Sequence, residues 1–347
     1  VTMTFTYPTS TNIDVFYTDD EGSLITPEKL PYGRGYSIVE VQAPYGYVLD
    51  ETPIYFDVTQ ENSIEESGVT IIKVNKKNFA QKGTIAVEKT GEVFFGVSVS
   101  GGIDESGNEL PIIYQPQYEK RGLPGAVYEV VAAEDIITPD GTVRNHKGDV
   151  VDTIITDENG IAMSCELYLG EYEVREVTAP NGMVLNPESC FVELVYAGQN
   201  VAVTETATSF ENERQKVEIS LVKSIEQNER FDIGTNGEMK NITFGLFSAE
   251  EIVLTSGTFI PADGLIEIVS LNEDGTATIK TDLPYGRYYV QELATDSHYK
   301  LSDAKYPIIF EYVGQDTAVV KIAVNDGKAI KNDLIYGSVS GKKVDED

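Results

Sequence analysis

The sequence contains no tryptophan, only two cysteines and two histidines, and few basic residues for its 347 positions. Cys165, Cys190, His146 and His298 are too few to build a repeated metal site, and no CxxC or HExxH spacing occurs, so no metal or cofactor is expected. The two cysteines lie close enough in sequence to pair, but no disulfide framework surrounds them, and two buried thiols are the plainer expectation. Lys and Arg number 26 against 57 Asp and Glu, a formal net charge of −31. A surface that negative repels phosphate backbones and anionic headgroups, which argues against nucleic-acid and membrane-surface partners. No apolar run approaches the length of a spanning helix, and the opening VTMTFTYPTS (1–10) lacks a basic region followed by an apolar stretch. No nucleophile elbow, phosphate loop or catalytic carboxylate motif is present, so an enzyme acting on an external substrate is not expected. Against these absences stand 41% hydrophobic and 24% charged residues, an ordinary globular composition, and a length sufficient for two or three domains.

Helix signals are nearly missing as well. Short stretches alternate apolar and polar residues: TIAVEK (84–89), AVYEVV (126–131), EYEVREV (171–177), VEISLVK (217–223), RYYVQEL (287–293) and PIIFEYV (307–313). Turn clusters DDEG (19–22), DENG (157–160) and NEDG (272–275) separate them. Period two with β-branched and aromatic residues, broken by Asp/Asn/Gly turns, predicts antiparallel strands and an all-β fold of sandwiches.

The chain also repeats itself. LPYGRGYSIVEVQAPYGYVLD (30–50), LYLGEYEVREVTAPNGMVLN (167–186) and LPYGRYYVQELATDSHYKLSD (283–303) align on a Tyr-x-Ile/Val-x-Glu pattern. Its members are Tyr36, Ile38 and Glu40; Tyr172, Val174 and Glu176; Tyr288, Val290 and Glu292. Gly22, Gly160 and Gly275 of the acidic turns precede those glutamates by 18, 16 and 17 residues. The turns lack the further ligands of a calcium loop and read as hairpin turns.

A second recurring interval marks the boundaries. Asn78, Asn212 and Asn332 are each followed 11 residues later by a lysine, Lys89, Lys223 and Lys343, across short polar joints. The distances from Glu to the following Asn are 38, 36 and 40 residues. Constant joints with variable interiors predict tandem repeats at 1–80, 81–214 and 215–333, with 334–347 as the opening strand of another. The first repeat has Glu40 and Asn78 but no opening-strand lysine; Lys29 lies in the hairpin before Glu40. The sequence is therefore expected to be part of a longer array. Lys342 sits beside Lys343, and only the 11-residue interval favours the latter.

On a strand, Tyr172, Val174 and Glu176 share a face, as do Tyr288, Val290 and Glu292, and Tyr36, Ile38 and Glu40. That face is apolar and should point inward. Lys89 likewise follows Ile85 and Val87, and Lys223 follows Ile219 and Leu221. Buried, unpaired charges are costly. A dry pocket holding Lys, Glu and Asn together favours the uncharged amine and acid. The free amine is a nucleophile, the carboxamide an electrophile, and the acid a proton carrier, a set suited to an Nζ–Cγ isopeptide bond. The plainer alternative leaves all three types as solvated surface residues.

These residues resemble a known family. The motif YxVxExxAPxGYxL, seen as YSIVEVQAPYGYVL and YEVREVTAPNGMVL, with the opening Lys and closing Asn, resembles the B-type (Cna B-type) repeats of collagen adhesins. These are also called SpaA-like or prealbumin-like domains, and they occur in Gram-positive surface proteins and pilins. GLPGAVYEVV (122–131) resembles the segment after their opening strand. The resemblance implies Ig-like antiparallel sandwiches in an elongated array. It also implies cross-links Lys89–Asn212, with Glu176 as catalyst, and Lys223–Asn332, with Glu292. Glu40 and Asn78 would await a lysine from elsewhere, and Lys343 would open the next unit. The third repeat departs from the family at ELATDSHYKL, which lacks AP-x-GY.

The expected role is a structural stalk in a pilin or adhesin on the outer, cell-wall-anchored surface of a Gram-positive bacterium. Neighbouring repeats would be its partners, and sortase-mediated anchoring is expected of the parent protein. A second reading is a binding module for a host matrix protein or glycan, using the excursion SGGIDESGNELPIIYQPQYEKRG (100–122) with Tyr114 and Tyr118; the plainer reading of that stretch is an elaborated loop.

Overall fold

The computed structural model describes residues 15–343 apart from 27–28, 62–63, 67–68, 104–105, 255–256 and 258. The N-terminal stretch 1–10 and the last four residues of the 334–347 segment lie outside the described residues. The chain divides into two compact units, Val1–Ala80 with Gly198–Val201, and Gln81–Ala197 with Ala202–Asp347.

In the first unit, Gly33–Ile38 pairs antiparallel with Ile54–Val58, and Tyr36 stacks on Phe56 with ring centroids 5.6 Å apart. Tyr47–Val48 pairs with Phe79–Ala80. The Asp19 carboxylate closes the first acidic turn by accepting from the Glu21 and Ser23 N–H groups.

The second unit contains two sandwich cores. The first is built on a sheet in the order Val150–Ile155, Val127–Ala132, Gly170–Thr178, Ser189–Leu194. Facing it are Ile161–Met163, the long strand Lys82–Ile103, and Val203–Asn212. Ile85, Val87, Tyr128, Val130, Tyr172, Val174, Leu194 and Phe210 fill the space between. The second core repeats the plan: Leu265–Ser270, Thr243–Ser248, Gly286–Ala294 and Lys305–Phe310 on one side; Thr276–Ile279, Lys216–Ile225, Val319–Ala323 and Ile330–Asn332 on the other. Val217, Ile219, Leu221, Phe244, Leu246, Val290, Ile308 and Phe310 lie between them. Each such aliphatic or aromatic side chain contributes about 1.5–3 kcal/mol by leaving water. The alternation read from the sequence is the burial pattern of the strands: in Lys82–Ile103, Ile85, Val87 and Lys89 point inward while Glu88 is exposed.

Most pairing is antiparallel, but each sandwich joins its first and last strands in parallel. Val203–Asn212 runs beside Lys82–Ile103 with Phe210 opposite Lys89 and Asn212 opposite Gly91. Ile330–Asn332 runs beside Lys216–Ile225 with Ile330 opposite Lys223 and Asn332 opposite Ile225. In both, the asparagine lies two residues beyond the lysine's partner and so on the same face.

The 100–122 stretch is not a loop. Lys82–Ile103 and Glu109–Gly122 form a long antiparallel hairpin, because β-branched and aromatic residues continue along both arms (Val93, Val97 and Val99; Ile112, Tyr114 and Tyr118) and carry the ladder outward. Its outer arm reaches the second core, where Ile113 pairs in parallel with Leu265. The cysteines are free but not both buried: Cys165 is exposed on a loop, and Cys190 is half-buried on the edge strand Ser189–Leu194. Past Leu334, residues 335–343 form no strand among the described residues, and Lys342 and Lys343 are exposed.

Candidate functional site

The inward phase of the strands carries three polar side chains into each sandwich of the second unit. Lys89, Glu176 and Asn212 are all buried, as are Lys223, Glu292 and Asn332. Lys89 Nζ lies 3.1 Å from Glu176 Oε1 and against Asn212 Oδ1. Asn212 Nδ2 donates to both Glu176 oxygens, at 3.1 and 3.0 Å. In the second sandwich Lys223 Nζ lies 3.0 Å from Glu292 Oε1. Asn332 Nδ2 donates to Glu292 Oε1 and Oε2 at 2.8 and 3.0 Å, and to Thr295 Oγ1 at 3.0 Å. One carboxylate oxygen, Oε1, therefore bridges the lysine nitrogen and the carboxamide nitrogen in both.

The surroundings are apolar. The Lys89 amine faces the rings of Tyr128 and Phe210 at 5.8 and 6.0 Å, and the Lys223 amine faces Phe244 at 5.7 Å. Burial holds both amines below the usual lysine range, against the opposing pull of Glu176 and Glu292. Burial also pushes the Tyr128 phenol well up. A fraction of free amine at neutral pH is what a lysine nucleophile needs.

Backbone groups that the strand pattern did not single out hold the triads in place. The other glutamate oxygen, Oε2, accepts an N–H from the residue ten positions on: Asn186 to Glu176 at 2.8 Å and Ser302 to Glu292 at 3.0 Å. The first unit does the same, with Asp50 N–H to Glu40 Oε2 at 3.2 Å. The interval was visible in the aligned segments, although nothing there assigned it a hydrogen bond. Each lysine backbone is pinned by the glycine of an acidic turn: Lys89 N–H donates to Gly160 O at 2.7 Å, and Lys223 N–H to Gly275 O at 2.8 Å. Both glycines have left-handed φ (81° and 79°), and a Cβ on them would stand 2.3 and 2.4 Å from the lysine carbonyl oxygens. The Asp157 carboxylate is used inside its turn, accepting from the Asn159 and Ile161 N–H groups.

In the first unit Glu40 and Asn78 also meet, Asn78 Nδ2 donating to Glu40 Oε1 at 2.6 Å, but both are half-buried and Lys29 is exposed.

A family model described as a SpaA prealbumin-like fold domain matches residues 1–73, 112–208 and 227–328. The chain belongs to the SpaA family of prealbumin-like domains. Each SpaA match includes one of the glutamates 40, 176 and 292. Several solved structures are similar. The Bacillus anthracis TIE protein is 23% identical over 88% of this chain and 42% of its own, with a TM-score of 0.48. A streptococcal ancillary pilin is 19% identical over 88% of this chain and 76% of its own, with a TM-score of 0.27. GBS52, the minor pilin of the Gram-positive pathogen Streptococcus agalactiae, is 14% identical over 75% of this chain and all of its own, with a TM-score of 0.25. The SpaA-type chain thus spans less than half the length of the TIE protein. No curated protein matches the sequence.

Proposed function

We propose that this chain is a load-bearing stalk segment of a Gram-positive surface adhesin or pilin, stiffened by two isopeptide bonds that it forms itself, Lys89 to Asn212 and Lys223 to Asn332. The observation that carries this reading is that, in each sandwich, one carboxylate oxygen bridges a buried amine and a buried carboxamide on the parallel first and last strands. The amine attacks Cγ of the asparagine. The Nζ–Cγ bond forms, the Cγ–Nδ2 bond breaks, and a proton passes from Nζ through glutamate Oε1 to Nδ2, which leaves as ammonia. The glutamate ends as it began, but the lysine and asparagine are consumed, so each site turns over once, and no external substrate is involved. The reaction also replaces an ionisable amine, whose charged form is expensive to keep dry, by a neutral amide.

The product suits a stalk. The Lys89–Asn212 bond closes a separation of 123 residues, and a loop of that size stabilises by about 5 kcal/mol if a disulfide is a fair analogue. Tension entering on the first strand can leave by the last without loading the strands between. Unlike a disulfide, the bond is indifferent to reduction. Membership of the SpaA family, and likeness to solved pilins, support a place outside the cell on a Gram-positive surface, with sortase anchoring of the parent protein. No helix among the described residues is long and apolar enough to cross a membrane. The repeats run 1–80, 81–214 and 215–333. Glu40 with Asn78, and Lys343, belong to sites completed by other residues.

Intact mass spectrometry tests the reading. The parent should weigh less than its sequence by two ammonia molecules, and Glu176→Ala and Glu292→Ala should each regain one. A parent mass equal to that of the unmodified sequence would overturn it.

A further inference from the structure

The joint between the second and third repeats is held by two glutamines that no part of the cross-linking site uses. Gln215, immediately after Arg214, is 1% exposed. Its side chain donates to Gly314 O at 3.0 Å and Thr317 O at 2.7 Å, and its Oε1 accepts from Val313 N–H at 3.0 Å. It thereby shapes the 313–317 loop of the third repeat. That loop presents Gln315 to the second repeat. Gln315 Oε1 accepts from Ala179 N–H at 2.8 Å, its Nε2 donates to Val177 O at 3.4 Å, and its backbone carbonyl accepts from Leu185 N–H at 2.9 Å.

The partner of this loop is the Ala179-Pro180-Asn181-Gly182 turn, the AP-x-G signature itself. Two tyrosines of the third repeat cap the same turn, Tyr285 OH donating to Gly182 O at 3.1 Å and Tyr312 OH to Met183 O at 3.2 Å. On the hairpin side, the Arg214 guanidinium lies 3.4 Å from the Tyr118 ring centroid. It pairs with Glu92 of the second repeat at 3.4 Å and Asp282 of the third at 3.1 Å. Ile113 adds its pairing with Leu265.

The two halves of the arrangement recur. Within the first unit, Gln199 Oε1 accepts from Ala43 N–H and its carbonyl from Leu49 N–H, both at 2.9 Å. Within the second unit, Gln81 Oε1 accepts from Ala197 N–H at 2.8 Å. Ala43 and Ala179 both open an AP-x-G turn, and Gln81 and Gln215 both stand three residues after a closing asparagine.

We propose that Gln215 and Gln315 form a clamp, with the AP-x-G turn of one repeat as the socket for the glutamine loop of the next, and that it locks the second and third repeats into one rigid body. Rotation at the joint would strip buried amide groups of their partners, at a cost that neither water nor a remade contact offsets while the surfaces stay packed. Contacts from three separate segments of the third repeat, near Leu265, Tyr285 and Gln315, leave no free hinge axis. The rule is legible in sequence: AP-x-G after the glutamate, Gln three residues after the asparagine, and Gly-Gln in the following repeat's loop. The third repeat carries Thr295-Asp296-Ser297-His298 and Ile335 at the first two positions, so its far end lacks the socket and the first glutamine.

The test is a spin-label distance measurement on the full chain in a Cys165→Ser/Cys190→Ser background, with labels at Glu193→Cys and Lys321→Cys. The parent should give one narrow distance distribution. Gln215→Ala/Gln315→Ala should broaden it roughly twofold as hinge motion is released, while the intact mass stays two ammonia molecules below that of the variant's own sequence, as in the parent, which separates loss of the clamp from loss of a cross-link. Tyr285→Phe/Tyr312→Phe, which removes two hydroxyls and leaves the rings, should broaden it less. A parent distribution that is already broad overturns the proposal, as does an unchanged width in the glutamine pair. Should the glutamine pair not fold, an unchanged width in the tyrosine pair overturns it equally.

Discussion

The second and third repeats hold the same three side chains in the same relation but surround them differently. In the second, the Lys89 amine lies against the Asn212 carboxamide oxygen, and the loop after Glu176 is an AP-x-G turn whose outer side meets the third repeat. In the third, Thr295 gives the Asn332 carboxamide an extra acceptor, and Asp296 spends its carboxylate on Asn241 and the His298 N–H. What both keep is the bridging Oε1, the N–H ten residues beyond the glutamate, and the glycine behind the lysine. Those are the parts the two sites share. The loop between Glu and that N–H is free to serve the neighbouring repeat in one case and its own sandwich in the other.

The largest expected break in this comparison comes from the glutamates. Glu176→Ala and Glu292→Ala should each lower the unfolding free energy of the affected sandwich by about 5 kcal/mol through loss of one closed loop, read as two separated transitions where the parent shows one. Next come the glycines. Gly160→Ala and Gly275→Ala should each cost about 2–4 kcal/mol, from left-handed strain plus a Cβ driven against a lysine carbonyl. Denaturant titration should find the two costs similar, because both turns meet the lysine in the same way.

Asn212→Ala and Asn332→Ala leave an uncoupled amine in a dry pocket. An amine with a depressed folded pKa binds fewer protons folded than unfolded at pH values below its ordinary 10.5. Stability of these variants should therefore rise as pH climbs from the depressed value toward 10.5, and the cross-linked parent should lack that alkaline gain. The smallest effect is expected from Thr295→Val, about 1 kcal/mol for one lost hydrogen bond. It should slow cross-linking in the third repeat and leave the second untouched, as followed by peptide mapping.

Much of the site was legible in the sequence because charge on an apolar strand face is hard to explain any other way. Glu176 in phase with Tyr172 and Val174, and Lys89 in phase with Ile85 and Val87, are buried as their period requires. Strand order was not legible. Nothing in local alternation says that the last strand lies beside the first in parallel, because that choice is made by tertiary packing. The 100–122 hairpin was hidden by its prolines and glycines, which mimic loop composition although Pro116 sits within the ladder opposite Val97. The second role of AP-x-G was hidden too, because a socket has no meaning without its occupant, and Gln315 lies 136 residues from Ala179.

The parallel pairing of first and last strands changes what a cut in the chain means. If amine and carboxamide are joined as proposed, the segment from Lys89 to Asn212 is a covalent ring, and a protease that nicks an exposed turn such as Gly141 would open the ring without parting the molecule. Continuity of such a fibre would then depend on the short stretches outside the rings, such as 213–222, and there the structure buries Arg214 and Gln215.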